Sequence, residues 1–204
     1  SFLRGRIGAT TRVTSDAIEN TIVSSDARYV GARGNKFIGD TYVGRYTDIV
    51  SLSLDYGADL DKDQEFLLGA FSGLRGYEDR SFTGSQAMLF TVEERVHMVD
   101  DVFHLFSIGA AAFYDVGGTS THGFGDILDE ELRSDVGFGF RFGFPRSSGG
   151  GVIRVDIGFP TRNAVADEAW TPRLLITTGQ GVTARLPNEA TQNPGANVAL
   201  KFLP

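Results

Sequence analysis

Arginines and carboxylates spaced two residues apart are the chemistry-bearing feature of this chain. Arg133, Asp135 and Arg141 share one parity with Gly137, Gly139 and Gly143; Arg154 and Asp156 repeat the pattern, and so do Glu93, Arg95 and His97. On a strand that spacing puts the charged groups on one face. There guanidinium and carboxylate can pair, but nothing marks one group as a general acid. The histidines at 97, 104 and 122 have no metal-ligand spacing. No G-x-S-x-G elbow occurs. The chain has no cysteine, which excludes thiolate ligands, thiol nucleophiles and disulfides. The glycines of 137–143 are strand glycines, since no helix follows to bind a phosphate. The chain reads as non-enzymatic, with no catalytic residue, metal or cofactor, so its charged chemistry is chemistry of holding. One cation stands apart. Arg75 lies in the glycine-punctuated stretch Phe66-Leu67-Leu68-Gly69-Ala70-Phe71-Ser72-Gly73-Leu74-Arg75-Gly76-Tyr77, which can be neither regular helix nor ordinary strand. Either it points into water or carboxylates elsewhere in the chain hold it.

Composition narrows the elements that could position these groups. Of 204 residues, 41% are hydrophobic and 22% charged, which argues against disorder. Twenty-six glycines and 16 phenylalanines beside one Trp and two Met suit an all-β protein. A net charge of -7 with no basic patch argues against a nucleic-acid partner. Mean hydropathy is -0.09, and no apolar run approaches the length of a membrane helix. A membrane β-barrel escapes that scan, because its lipid-facing residues alternate with lumen-facing ones. The lack of cysteine suits a chain that crosses an oxidising periplasm. The strand pattern is already under way at Ser1, so a mature form or a fragment is expected.

Alternation predicts about eight antiparallel strands, and no segment requires a helix. The first covers 3–13, with Arg4, Arg6, Gly8, Thr10 and Arg12 on one face. A turn at Ser15-Asp16 and Glu19-Asn20 leads to a strand over 21–33, ended by Gly34-Asn35. A third spans 40–58, weak in its first half, with room for a break near Thr47-Asp48. The connection of about 59–84 carries the Arg75 stretch. A loop that long without its own secondary structure is functional or disordered, and its apolar content argues against disorder. Then come 85–98, a turn at Val99-Asp100-Asp101, 103–117, a polar loop over 119–130, 133–144, a turn over 145–151, 152–159 and 172–181. The tail 182–204 holds at most one further short strand, over 197–202.

The two strand faces differ in kind. Val136, Phe138, Phe140, Phe142 and Phe144 oppose Arg133, Asp135, Gly137, Gly139, Arg141 and Gly143. A soluble sandwich would bury the phenylalanines and wet the other face. Glycines beside paired Arg and Asp, however, suit a crowded polar interior. The expected class is therefore an all-β antiparallel transmembrane barrel or half-barrel, forming a single domain over 1–204. A soluble β-sandwich binding module is the lesser alternative.

Several motifs in order sharpen this. Leu74-Arg75-Gly76-Tyr77, after Leu68-Gly69-Ala70-Phe71, resembles the signature loop G-G-x-x-x-(V/L)-R-G-(Y/F) of the BamA/TamA superfamily of outer-membrane assembly and translocation barrels; Ala70 stands where the second glycine would be. Glu93-Glu94-Arg95 resembles the family's E-x-R. Phe113-Tyr114-Asp115-Val116-Gly117 resembles its F-x-D-x-G. Gly137-Phe138-Gly139-Phe140-Arg141 and Arg154-Val155-Asp156-Ile157-Gly158-Phe159-Pro160 resemble its late G-x-G-x-R and R-x-D-x-x-x-P runs.

The resemblance implies a surface-antigen-type barrel in the bacterial outer membrane that inserts or translocates polypeptides. Its loop folds into the lumen, and its arginine binds carboxylates of the next two inner strand faces. Alternation separately puts Glu93 and Asp115 on the polar face. Arg75 is thus expected on Asp115, Glu93 or both, with pairing of Glu93 to Arg141 or to the neighbours of Arg95 as the competing arrangement. Gly69, Leu74, Gly76 and Tyr77 complete the loop motif; Phe113 and Gly117 line the anchoring wall; Arg141, Arg154 and Asp156 also face the lumen. Family barrels have about sixteen strands, and this chain resembles the second half. A fragment is therefore expected, or a short member paired with another chain or a second copy. About eight strands could close alone, but with no lumen left for a loop. Implied partners are outer-membrane lipids and a client or secreted polypeptide. A plain structural or pore barrel, or the barrel part of a patatin-lipase fusion, are the alternatives. Family barrels tend to end on an aromatic; here Phe202 is followed by Leu203-Pro204.

Overall fold

Glycine and β-branched or aromatic residues in alternation give extended backbone with two distinct faces, and most of the described residues take that form. The computed structural model describes residues 1–13, 18–103, 105–144, 151–162, 169–180 and 198–201. Its strands are β1 (Phe2–Val13), β2 (Ile18–Ile38), β3 (Thr41–Ala58), β4 (Phe66–Leu68), β5 (Phe82–Gly84), β6 (Gln86–Val102), β7 (Phe106–Ser120), β8 (Arg133–Gly143), β9 (Gly151–Arg162), β10 (Arg173–Gln180) and β11 (Val198–Lys201). Nine of them form one antiparallel sheet in the order β1-β2-β3-β6-β7-β8-β9-β10-β11, and β4 and β5 pair separately. The sheet is a meander, and among the described residues its first and last strands do not pair. Eight strands are long, and the ninth has four residues. No helix among the described residues is long and apolar enough to cross a membrane, which has no bearing on strands.

Several expected boundaries are corrected. β2 begins at Ile18 and takes Glu19-Asn20 into the strand. It also runs through Gly34-Asn35, where the register with β3 shifts by one residue; Gly34, at φ 75°, supplies a bulge rather than an end. β3 is unbroken at Thr47-Asp48, which pair with Ala32 and Gly31. Val99-Asp100-Asp101 lies inside β6, across two register shifts. The 59–84 connection has structure of its own: the β4–β5 ribbon and 3-10 turns at Lys62–Gln64 and Ala70–Ser72. Among the described residues there is one α-helix, α1 (Phe124–Asp129), inside the expected polar loop. It is pinned by Ile127, whose side chain is completely buried. The Ser15-Asp16 turn, most of the 145–151 turn and the Phe202 terminus lie outside the described residues; of the tail only Val198–Lys201 is described.

Register sorts the faces. One row across β6–β10 is Glu93, Phe113, Gly137, Gly158 and Arg173; the next is Thr91, Asp115, Asp135 and Pro160. This face lies beneath the 59–84 loop and is buried. On the opposite face Val92, Tyr114, Val136, Phe138 and Phe140 are exposed. Phe138 and Phe140 are 49% and 48% accessible, whereas Asp115 and Asp135 on the loop face are each at 0%.

Candidate functional site

The site is built where the loop meets the charged face. The loop turns back on itself because Gly69 accepts hydrogen bonds from the Ser72 and Leu74 amides, each at 3.0 Å, and the Ala70 amide donates to the Glu78 carbonyl at 3.1 Å. Leu68, Leu74 and Tyr77 then form a small buried core with Phe82 and with Leu89 of β6. Gly117 backs this contact from β7: a Cβ there would strike the Met88 carbonyl and crowd Leu89. Tyr77 fixes the far side of the loop. Its hydroxyl lies 2.6 Å from the Arg162 carbonyl and 3.1 Å from that of Ser134.

Arg75 is thereby pushed onto the wall and is only 8% accessible. Its Nε and Nη2 donate to the two oxygens of Asp115 at 2.7 and 3.0 Å, and its Nη1 donates to Glu93 at 2.8 Å. This is the bidentate fork that guanidinium geometry favours. The guanidinium carbon sits 3.4 Å from the centroid of the Phe113 ring, which adds a cation–π contact in a desolvated setting. Glu93 is shared. Its other oxygen accepts from Arg95 at 2.5 Å and from Arg141 at 3.3 Å. Arg141 also donates to Asp156, whose second oxygen is 3.8 Å from Arg75. Burial alone would lower the Arg75 pKa. The Asp115 carboxylate outweighs that by charge and hydrogen bonding, with Glu93 and Asp156 adding to it, so the pKa stands above arginine's ordinary value and the latch stays charged.

The glycine after Arg75 has a steric reason. A Cβ on Gly76 would lie 2.6 Å from Asp135 Cβ and 2.8 Å from the Pro160 nitrogen, and a Cβ on Gly158 would lie 2.8 Å from the Arg75 carbonyl carbon and oxygen. Loop and wall backbones touch here, and only glycine fits on either side. Gly137 opposite Phe113 leaves the space the ring occupies.

The structure thus brings Arg75, Glu93, Arg95, Phe113, Asp115, Arg141 and Asp156 into one connected network, with Gly69, Leu74, Gly76 and Tyr77 shaping the loop above it. Arg154 is not joined to it by a hydrogen bond; it lies opposite Arg141 in register, and its Nε has no partner among the described residues. Sequence reasoning missed Gly158, Asp135 as a member of the site, and the strap from Glu78 to Arg173 at 3.2 Å. Alternation put Asp135 on the charged face with Gly137 and Gly139 but gave it no part in the site. The strap spans 95 residues and leaves no local signal. Among the described residues no group of His, Asp and Glu is placed to hold a metal ion. Comparison with known proteins gives no matching family model, curated protein or solved structure.

Proposed function

We propose that this chain is the half-barrel of an outer-membrane β-barrel of the BamA/TamA type, in which the loop latched by Arg75 plugs the lumen and a second polypeptide meets the open sheet edge during assembly or translocation. One observation carries the membrane reading. Over β6–β9 the sheet buries Glu93, Asp115, Asp135, Arg141 and Asp156 on one face and leaves Tyr114, Val136, Phe138 and Phe140 exposed on the other. In water that sorting is backwards, since a one-sided sheet hides its apolar face. In a bilayer it is the sorting a spanning barrel needs, with apolar side chains toward lipid and polar ones toward an enclosed lumen. A soluble sandwich requires a second sheet over the phenylalanines, and none covers them among the described residues. The latch supports the plug role, because it ties the loop to two separate strands through buried charge. The mechanism is conformational: release of the latch frees the lumen, and the edge pairs with the passing or inserting strand.

The test is where the aromatic face sits. F138W in a W170F background gives a single indole on that face. Quenching by brominated lipid after reconstitution, with little quenching by aqueous iodide, is expected. A chain that stays monomeric without detergent and leaves that indole open to iodide would end the membrane reading.

A further inference from the structure

The outward face is broken by charge where β2, β3 and β6 run side by side. One row there is Gly31, Asp48, Glu94 and Ala112, so two carboxylates stand directly opposite each other. Like charges so placed destabilise a ladder. The register shift between Ala32 and Gly34 sets Arg33 beside them, and its Nε donates to Asp48 at 2.5 Å. Arg33 also feels the charge of Glu94. Glu94 itself is exposed and has neither hydrogen bond nor ion pair among the described residues. One guanidinium against two carboxylates leaves a negative charge over. The next row toward the 59–84 loop is Tyr29, Val50, Val92 and Tyr114. Tyr29 folds along β2 into the space Gly31 leaves, its hydroxyl 2.8 Å from where a Cβ on that glycine would lie. These two rows border a hollow of about 510 Å³, whose lining includes Tyr29, Arg33, Asp48, Val50, Val92 and Glu94.

The hollow is charged at one end and apolar at the other, the order in which a phospholipid carries its headgroup and chains. On a lipid-facing strand, charge is costly unless it is paired or reaches headgroup level. Tyrosine is enriched at that level. Resting on the membrane reading above, we propose that this hollow seats a phospholipid whose headgroup carries a primary ammonium. The ammonium donates to Glu94 and neutralises the surplus charge. The phosphate takes the Nη groups of Arg33 that its bond to Asp48 leaves open. The acyl chains run past Val50 and Val92. A choline headgroup has no N–H to donate, and an anionic headgroup meets the surplus carboxylate. A basic side chain of another protein would satisfy Glu94 but leave the Arg33 donors unmet.

The probe is brominated phospholipid, present as a small fraction of phosphatidylcholine vesicles that hold the full chain. L52W in the W170F background puts a single indole on the outward face, two residues beyond Val50. Brominated phosphatidylethanolamine, phosphatidylcholine and phosphatidylglycerol are compared at equal mole fraction by the quenching each produces. The ethanolamine lipid is expected to bind roughly three- to five-fold tighter than the other two, the scale of one exposed charge pair. E94Q, nearly the same in shape, should abolish the preference. F138W/W170F, three strands along the sheet from β3, should show none. Equal quenching by the three lipids at position 52, a preference that survives E94Q, or the same preference at position 138 would overturn the inference and leave the membrane reading standing. No quenching by any of the lipids at either position would overturn both.

Discussion

Arg75 holds two carboxylates on neighbouring strands through three donated hydrogen bonds, and its replacement separates charge from geometry. R75A leaves Asp115 buried without its fork and Glu93 with only Arg95 and Arg141. Removing one partner of a buried pair costs about 3–5 kcal/mol, so the denaturant midpoint in detergent should fall by that equivalent. Trypsin should also cut the 59–84 loop faster. R75K keeps the charge but not the planar fork and should fall between R75A and wild type. Coincident midpoints for all three would show that the latch contributes nothing to the fold. Y77F is a milder probe of the same loop. It removes the hydroxyl that reaches the Arg162 and Ser134 carbonyls, at about 1 kcal/mol, and should raise loop cleavage without moving strand content.

At the scale of elements, loop and sheet meet backbone to backbone. G158A puts a methyl against the Arg75 carbonyl, and overpacking of this kind costs about 1–3 kcal/mol. The expected result is an unchanged strand signal by circular dichroism with a proteolytically loosened loop; an unaltered loop would mean that the contact has slack. The strand faces were legible in the sequence because period-two alternation survives wherever both faces differ, as over Arg133–Gly143. The ends were less legible. Val99-Asp100-Asp101 has turn composition yet continues β6, because its partner β7 extends alongside with shifted register. α1 was hidden in a segment whose only core anchor is Ile127. The loop was legible as special through its glycines, but its β4–β5 ribbon was not, since three-residue strands leave no period to read. At the site, parity put Glu93 and Asp115 on one face. The need for glycine at 158 depends on a loop from 80 residues earlier, which no local pattern encodes.

At the scale of the whole molecule, the two faces of the sheet predict opposite tolerances. Phe140 is half exposed, between Ala110 and Val155 in register. If that face were wetted, F140K would be a surface substitution worth within about 0.5 kcal/mol. If it meets hydrocarbon near the bilayer midplane, the same lysine costs roughly 2–4 kcal/mol. Phe103, in the β6–β7 turn and more exposed still, supplies the control, because a lysine at a turn is solvated under either arrangement. The measurement is the folded fraction after dilution from urea into lipid vesicles, read by protection from protease. F140K should fold several-fold less than wild type, and F103K should match it. Equal folding of F140K and F103K would place the phenylalanine face in water, and the buried arginines would then need another explanation than an enclosed lumen.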